Sequence, residues 1–222
     1  MSSLVTVSRV LTRRIQSAQV LDDAGWLPHY STPFDRVDEC DGDVEALREL
    51  LWQHYQERWP EVRKGIESRL MRYEVDDEAK ATFFEALAAH QAGLYRSVCR
   101  VLMLEIERVS RKELHGDAIG NFTRQKLLCD LAAQLPISSV EPGGFYGLVL
   151  FKRLSEHLYQ GVRDDEARQR FARDPIPNRH AAVHGLVVYS SKQNSLNVMF
   201  MADFVFQVIA SLKRLKIEQA DR

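Results

Sequence analysis

The sequence predicts an all-α protein, an antiparallel helical bundle with an N-terminal helical appendage. Three observations carry that expectation. Apolar residues recur at helical spacing along most of the chain, and the period-two alternation of strands is almost absent. Asp and Asn stand ahead of the apolar stretches as caps, and Gly and Pro punctuate them. The 222 residues are 45% hydrophobic and 27% charged, which suits one sizeable globular unit or one domain with an appendage.

The elements follow in order. Residues 3–23 read as a first helix ending near Gly25. The loop "GWLPHYSTPFDRVDECDGD" comes next, rich in Pro, Asp and Gly. Asp43 caps a helix through "VEALRELLWQHYQERW", and Pro60 breaks or restarts it before a segment reaching about Tyr73. Asp76 or Asp77 caps the longest element, expected to run unbroken to about Arg111. Phe84, Leu87, Leu94, Val98, Val101, Leu102 and Val109 keep its helical spacing, with Gln91 as the polar exception. At about 1.5 Å per residue it would be roughly 50 Å long, the spine of a bundle. A helix at 121–134, the loop "PISSVEPGG" and an amphipathic helix at 145–160 follow. The charged link "GVRDDEARQRFARD" leads to "DPIPNRHAAVHG", and a final helix spans about 192–217. The boundary falls between an appendage at 1–74 and a bundle at 75–222, with its helices ending near 217. No flexible linker separates the two, so the appendage is expected to pack on the bundle.

The formal net charge of −1 disfavours a protein whose whole surface coats nucleic acid, while leaving room for a local basic site. The three Cys, at 40, 99 and 129, form no Cys-x-x-Cys pair. Cys99 and Cys129 lie in apolar helical patterns and read as reduced core thiols, in keeping with a reducing cytoplasm. No secretory leader is expected from "MSSLVTVSRVLTRRIQ". The run from Val198 to Leu212, interrupted by Asp203 and Gln207, reads as too short and too polar to cross a bilayer.

The chemistry concentrates in "DPIPNRHAAVHG", Asp174 to Gly185. Asp174 before Pro175 resembles a helix start, with Asn178 as the alternative cap, and Gly185 can end the segment. Arg179 carries a permanent charge on a planar fork of donors that suits a phosphate. His180 and His184 are four apart and share a helix face. A His near its ordinary pKa of about 6.5 exchanges protons at cellular pH. Arg with His is the set that cleaves RNA without metal: one group takes the 2′-hydroxyl proton, one stabilises charge on the phosphate, one protonates the leaving oxygen. Arg179 and His184, five apart, diverge by about 140° on an ideal helix. Either the helix distorts near Gly185 or two copies build the site across a symmetric interface.

Arg179-His180-Ala-Ala-Val-His184, an Arg, four residues and a His with a polar residue directly after the Arg, resembles the signature of the HEPN superfamily of helical ribonucleases. The preceding "PN", the following Gly and the long apolar helix beyond agree with it. "AGLYRSVCRVLMLEIERVSRKEL" also resembles a core helix of such domains. The resemblance covers about residues 75–217. It implies a metal-independent and cofactor-free endoribonuclease acting as a homodimer on RNA, of the toxin or phage-defence kind, restrained by an antitoxin or regulatory protein. Arg179 and His184 would be the catalytic pair, His180 their polar companion, and Asn178 a substrate-side helper. In one subgroup a Tyr two residues beyond the His is modified by a partner enzyme. Leu186 stands there in this chain, and the nearest Tyr is Tyr189. Other members are non-catalytic scaffolds, so a helical dimer that binds RNA, nucleotide or protein is the alternative.

Plainer readings stand beside these. Arg179 could form a salt bridge with Asp174 or Glu105. His180 and His184 could chelate a metal, with His157 as the nearest candidate third ligand. Glu105 sits on an apolar series and needs a partner, so it either orients Arg179 or a His, or lies at the edge of the stripe. Glu107 reads as a solvated helix charge. Arg163, Arg168, Arg170 and Arg173 could line an RNA path, with Arg173 nearest the motif, yet interleaved acids suit a solvated helix as well. Trp26, His29 and Tyr30 could stack bases, or anchor a loop to the core.

Overall fold

The computed structural model describes residues 16–117, 130, 135 and 145–220. The expected helix at 121–134, with Cys129, and the loop at 136–144 lie outside the described residues, apart from isolated positions. Every regular element among the described residues is helical, and together they form an all-α bundle.

Of the helix expected over 3–23, residues 3–15 lie outside the described residues; the described part, α1, is helical over 16–23 and ends at Gly25, whose φ of +73° is the left-handed conformation that glycine adopts without strain. Short α2, Phe34–Glu39, precedes α3, Val44–Glu57. The Asp43 carboxylate caps α3 by accepting from the Glu45 and Ala46 amides. Helix α4, Trp59–Leu70, restarts after one residue with Pro60 in its first turn, where a missing N–H costs nothing.

The expected spine is two helices, α5 (Asp77–Gln91) and α6 (Tyr95–His115). Gly93 turns the chain at φ +76°. The Leu94 amide then bonds the Ala89 carbonyl at 2.8 Å and the Gly93 amide bonds His90 at 3.0 Å, a Schellman close. Gln91, the polar residue on an apolar series, is the last residue of α5, and its side chain accepts from Trp59 Nε1 at 2.5 Å.

Beyond them come α7 (Phe145–Tyr159), α8 (Asp165–Arg173), the short α9 (Arg179–Val183) and α10 (Lys192–Ala220). The charged link is therefore largely helix, capped by Asp164 through the Ala167 amide. Helix α10 is the core of the molecule. Met199, Phe200, Met201, Ala202 and Phe206 are wholly inaccessible, and α10 packs on α6 and α4. By length and composition Lys192–Glu218 is apolar enough to cross a bilayer, more so than the sequence suggested, yet its apolar window is entirely buried inside the protein.

One continuous apolar core runs from Ala18 to Leu212 through both parts of the chain. Trp26 packs on Tyr55, and His29 stacks on Phe200 at 4.2 Å. A buried polar knot ties this side together. Asp203 on α10 accepts from the Tyr73 hydroxyl at 2.9 Å and lies 3.4 Å from both Arg69 Nε and His29 Nε2. The Arg69 guanidinium also covers the Tyr30 ring at 4.2 Å. The aromatic residues of the N-terminal loop are thus anchors in this structure.

Candidate active site

The segment from Asp174 to Gly185 is built by two glycine-free turns and one glycine stop. Asp174 does not start a helix. Its carboxylate accepts from the Ile176 amide at 2.9 Å, closing a local turn around Pro175. The cap is Asn178, fully buried, whose Oδ1 accepts from the Ala181 amide at 2.9 Å. Its Nδ2 donates to the Gln160 carbonyl, and its backbone N–H donates to the Tyr189 hydroxyl at 3.1 Å. Tyr189 in turn donates to the Phe171 carbonyl at 3.1 Å. Burial pushes the Tyr189 hydroxyl up to about 12, so it stays a neutral structural bridge. Asn178 thereby sets the direction of α9 rather than facing the surface.

Helix α9 closes as α5 does. Gly185 sits at φ +68°, the Leu186 amide bonds the Ala181 carbonyl at 2.9 Å, and the Gly185 amide reaches Ala182 at 3.4 Å. This places His184 at the C-cap, exposed, directly before the left-handed glycine.

Arg179, the first residue of α9, is fixed at two points. Its Nε donates to the Leu158 carbonyl at the end of α7 at 2.9 Å, and one terminal nitrogen meets Glu107 Oε2 of α6 at 3.2 Å. The remaining donors of the fork lie on a side chain that is one-third exposed. The second carboxylate oxygen of Glu107 is buried with no hydrogen-bond partner among the described residues. Glu107 is thus the acid that meets Arg179. Glu105, expected in that role, belongs elsewhere: it holds Arg108 at 2.7 Å, which in turn grips Asp76. The reason is angular. Glu105 lies on the α6 arc of Val98, Leu102 and Val109, whereas Glu107 lies about 200° further round, on the arc that α9 covers.

His180 and His184 come together, with ring centroids 4.6 Å apart. Nδ1 of His180 accepts from the Val162 amide at 3.3 Å. That bond needs a neutral ring with its proton on Nε2. Burial, then the charges of His184, Arg179 and Arg163, push the His180 pKa below its ordinary value, in the same direction. Arg173 is exposed at the end of α8, and no contact joins it to the motif among the described residues. Arg168 donates to the Leu186 carbonyl at 3.0 Å, so one arginine of the charged link touches the residue directly after the segment.

His157 turns away from the two surface histidines. It is 1% exposed, its Nε2 lies 3.5 Å from Asp174 Oδ2, and burial lowers its pKa to about 4. Among the described residues no group of three His, Cys, Asp or Glu is placed to hold a metal ion.

The site therefore has an anchored guanidinium, a neutral donor ring and an accessible imidazole on one short helix. Exposed apolar residues stand on its elements, Val183 on α9 and Val188 just beyond, and Val101 and Leu104 are exposed on α6, against which α9 packs. Sequence reasoning missed Glu107, which looked like one more charge on a helix flank, and Tyr189, which carried no signal beyond being a Tyr near the motif. Compared with known proteins, the chain matches no family model, no curated protein and no solved structure.

Proposed function

We propose that the chain is an endoribonuclease that needs no metal and acts as a homodimer, with Arg179, His180 and His184 as its working groups. The observation that carries this reading is the pairing of two imidazoles with unlike surroundings beside an anchored arginine. The fork of Arg179 binds the scissile phosphate. His184, accessible to solvent, takes the proton of the 2′-hydroxyl as O2′ forms its bond to phosphorus. The P–O5′ bond then breaks, and the leaving 5′-oxygen receives a proton from an imidazolium. The products are a 2′,3′-cyclic phosphate and a 5′-hydroxyl. His180, held neutral, donates its Nε2 proton as a hydrogen bond to a phosphate oxygen as charge develops.

A dimer is proposed because base and acid are then supplied by two copies of His184, and because apolar Val183 and Val188 lie exposed at the motif and Val101 and Leu104 lie exposed on α6, the helix that α9 packs on. A cytoplasmic toxin or phage-defence role, with an antitoxin or other restraining partner, belongs to the same proposal and rests on the HEPN resemblance. The second reading is a helical dimer that binds RNA, nucleotide or protein without cleavage. It is favoured by the carboxylate of Glu107 already lying on Arg179.

The test is cleavage of a labelled structured RNA pool in the presence of chelator. Wild type is compared with His184→Ala and Arg179→Ala, each confirmed as folded. Cleavage by wild type alone supports the nuclease. Cleavage that survives both substitutions removes the motif from the chemistry. Retention of the RNA without cleavage favours the second reading.

A further inference from the structure

We infer that the turn at residues 22–27 is a positioning part of the Arg179 motif, working through Asn197. The region contains no catalytic group, and it holds the motif through the packing of Gly25 on Pro175, three amide side chains on α10 and the Arg153 ion pairs.

Gly25 lies flat against the ring of Pro175, the residue that leads into the motif. A Cβ on Gly25 would come within 2.6 Å of Pro175 Cγ, and its φ of +73° already excludes most side chains. Asn197, fully buried on α10, spans both segments. Its Nδ2 donates to the Gly25 carbonyl at 2.9 Å and to the Pro175 carbonyl at 3.3 Å, while its Oδ1 accepts from the Leu27 amide at 3.0 Å. Asn194 adds a second donor to the Pro175 carbonyl at 2.7 Å. Gln193 donates to the Gly25 carbonyl at 3.0 Å and reaches that of Ala24 at 3.4 Å. On the other side Arg153 of α7 pairs with Asp22 and lies 3.7 Å from Asp174. Three separated stretches, 22–27, 174–178 and 193–197, thus close on one point.

The consequence follows from α9 being only five residues long. A helix that short has almost no stability of its own. Its direction depends on the Asn178 cap, and the cap depends on where Pro175 and Ile176 leave the chain. The Gly25 turn sets Pro175 from behind, so it sets the angle at which Arg179 and the two histidines stand. This effect on the order of residues 174–184 is independent of the nuclease reading. Its effect on cleavage rests on that reading.

The full chain is tested by hydrogen–deuterium exchange and by cleavage. Gly25→Ala, Asn197→Asp and the milder Gln193→Ala are compared with Val62→Ala, a core truncation on α4. The amides of Asn178, Ala181, Ala182 and His184 report the motif, because each is hydrogen-bonded in the native state. Exchange at these amides is expected to quicken about tenfold relative to those of α5 in the clamp variants, the scale of one lost buried hydrogen bond. In Val62→Ala the ratio should stay at the wild-type value. Motif amides that keep the wild-type ratio in Gln193→Ala, and in whichever of the other two folds, overturn the inference. Cleavage should lose kcat with KM little changed. Quickened exchange with no change in cleavage leaves the positioning standing and removes Arg179 and the histidines from the reaction.

Discussion

Two of the sets of arginine, histidine and carboxylate among the described residues differ in what surrounds them. Around Asp203, the carboxylate, Arg69, His29 and Tyr73 face one another inside the protein, and Asp203 is 2% exposed. At Arg179, Glu107 meets the guanidinium, while His184 nearby and about a third of the Arg179 side chain stay in solvent. A closed set of this kind spends its donors on itself and joins helices. An open set has donors left for something that arrives. The type of residue therefore does not identify a site; the direction in which its unused donors point does.

The largest expected effect separates the two by chemistry. His184→Ala should lower RNA cleavage by about 10²- to 10⁴-fold, the usual contribution of a positioned acid or base, and should shift stability by no more than about 0.5 kcal/mol, as for most surface changes. Cleavage rates beside a denaturant titration check both halves. The next largest runs the other way. Asp203→Ala strands Arg69 without its buried carboxylate and should cost about 3–5 kcal/mol in chemical unfolding, while the rate per folded molecule is retained.

A third prediction concerns pH. Burial lowers His157 to about 4 and His90 to about 3, the latter with help from Lys192. Both lie below the value of about 6.5 in an unfolded chain, so the unfolded state takes up protons first as pH falls. Stability is full above about pH 6.5 and declines as pH falls toward 4 and then 3, by on the order of 3 kcal/mol per histidine. Thermal or urea unfolding across that range checks it, and His157→Gln should flatten the upper part of the curve.

The smallest effect sharpens the comparison most. Glu107→Gln removes the charge that Arg179 meets while keeping the shape. The pair is partly exposed, so stability should change by less than about 1 kcal/mol. The guanidinium is then free of a competing anion, and RNA should be held a few-fold more tightly in a salt titration of binding.

How far the sequence could be read follows the same division. Helical periodicity, the Asp43 cap, Pro60 and the Gly185 stop are local signals, and they located α3, α4, α9 and α10 closely. Gly93 is equally local, but a glycine inside a long apolar series can be tolerated, so the break between α5 and α6 was not legible. Arg179, His180 and His184 stood out because their chemistry is rare at that spacing. Glu107 did not, because its role depends on which arc of α6 meets α9, and only packing decides that. Asn197 and Gln193 were invisible for a related reason. Each bonds a turn about 170 positions away in the chain, across a contact that no local pattern encodes.

Helix α10 has a consequence for how the chain is made. It lies after α4 and α6 in the sequence, yet it supplies the surface on which both pack. During synthesis those helices must wait with their apolar faces uncovered, at about 5–20 residues per second, a condition that favours aggregation or chaperone capture. Asp203, Asn197 and the amide donors of Gln193 and Asn194 all arrive with that helix. A ribosome-bound chain therefore holds Arg179 and both histidines before it holds the elements that set their geometry, and any activity of the motif begins only after α10 has emerged and docked.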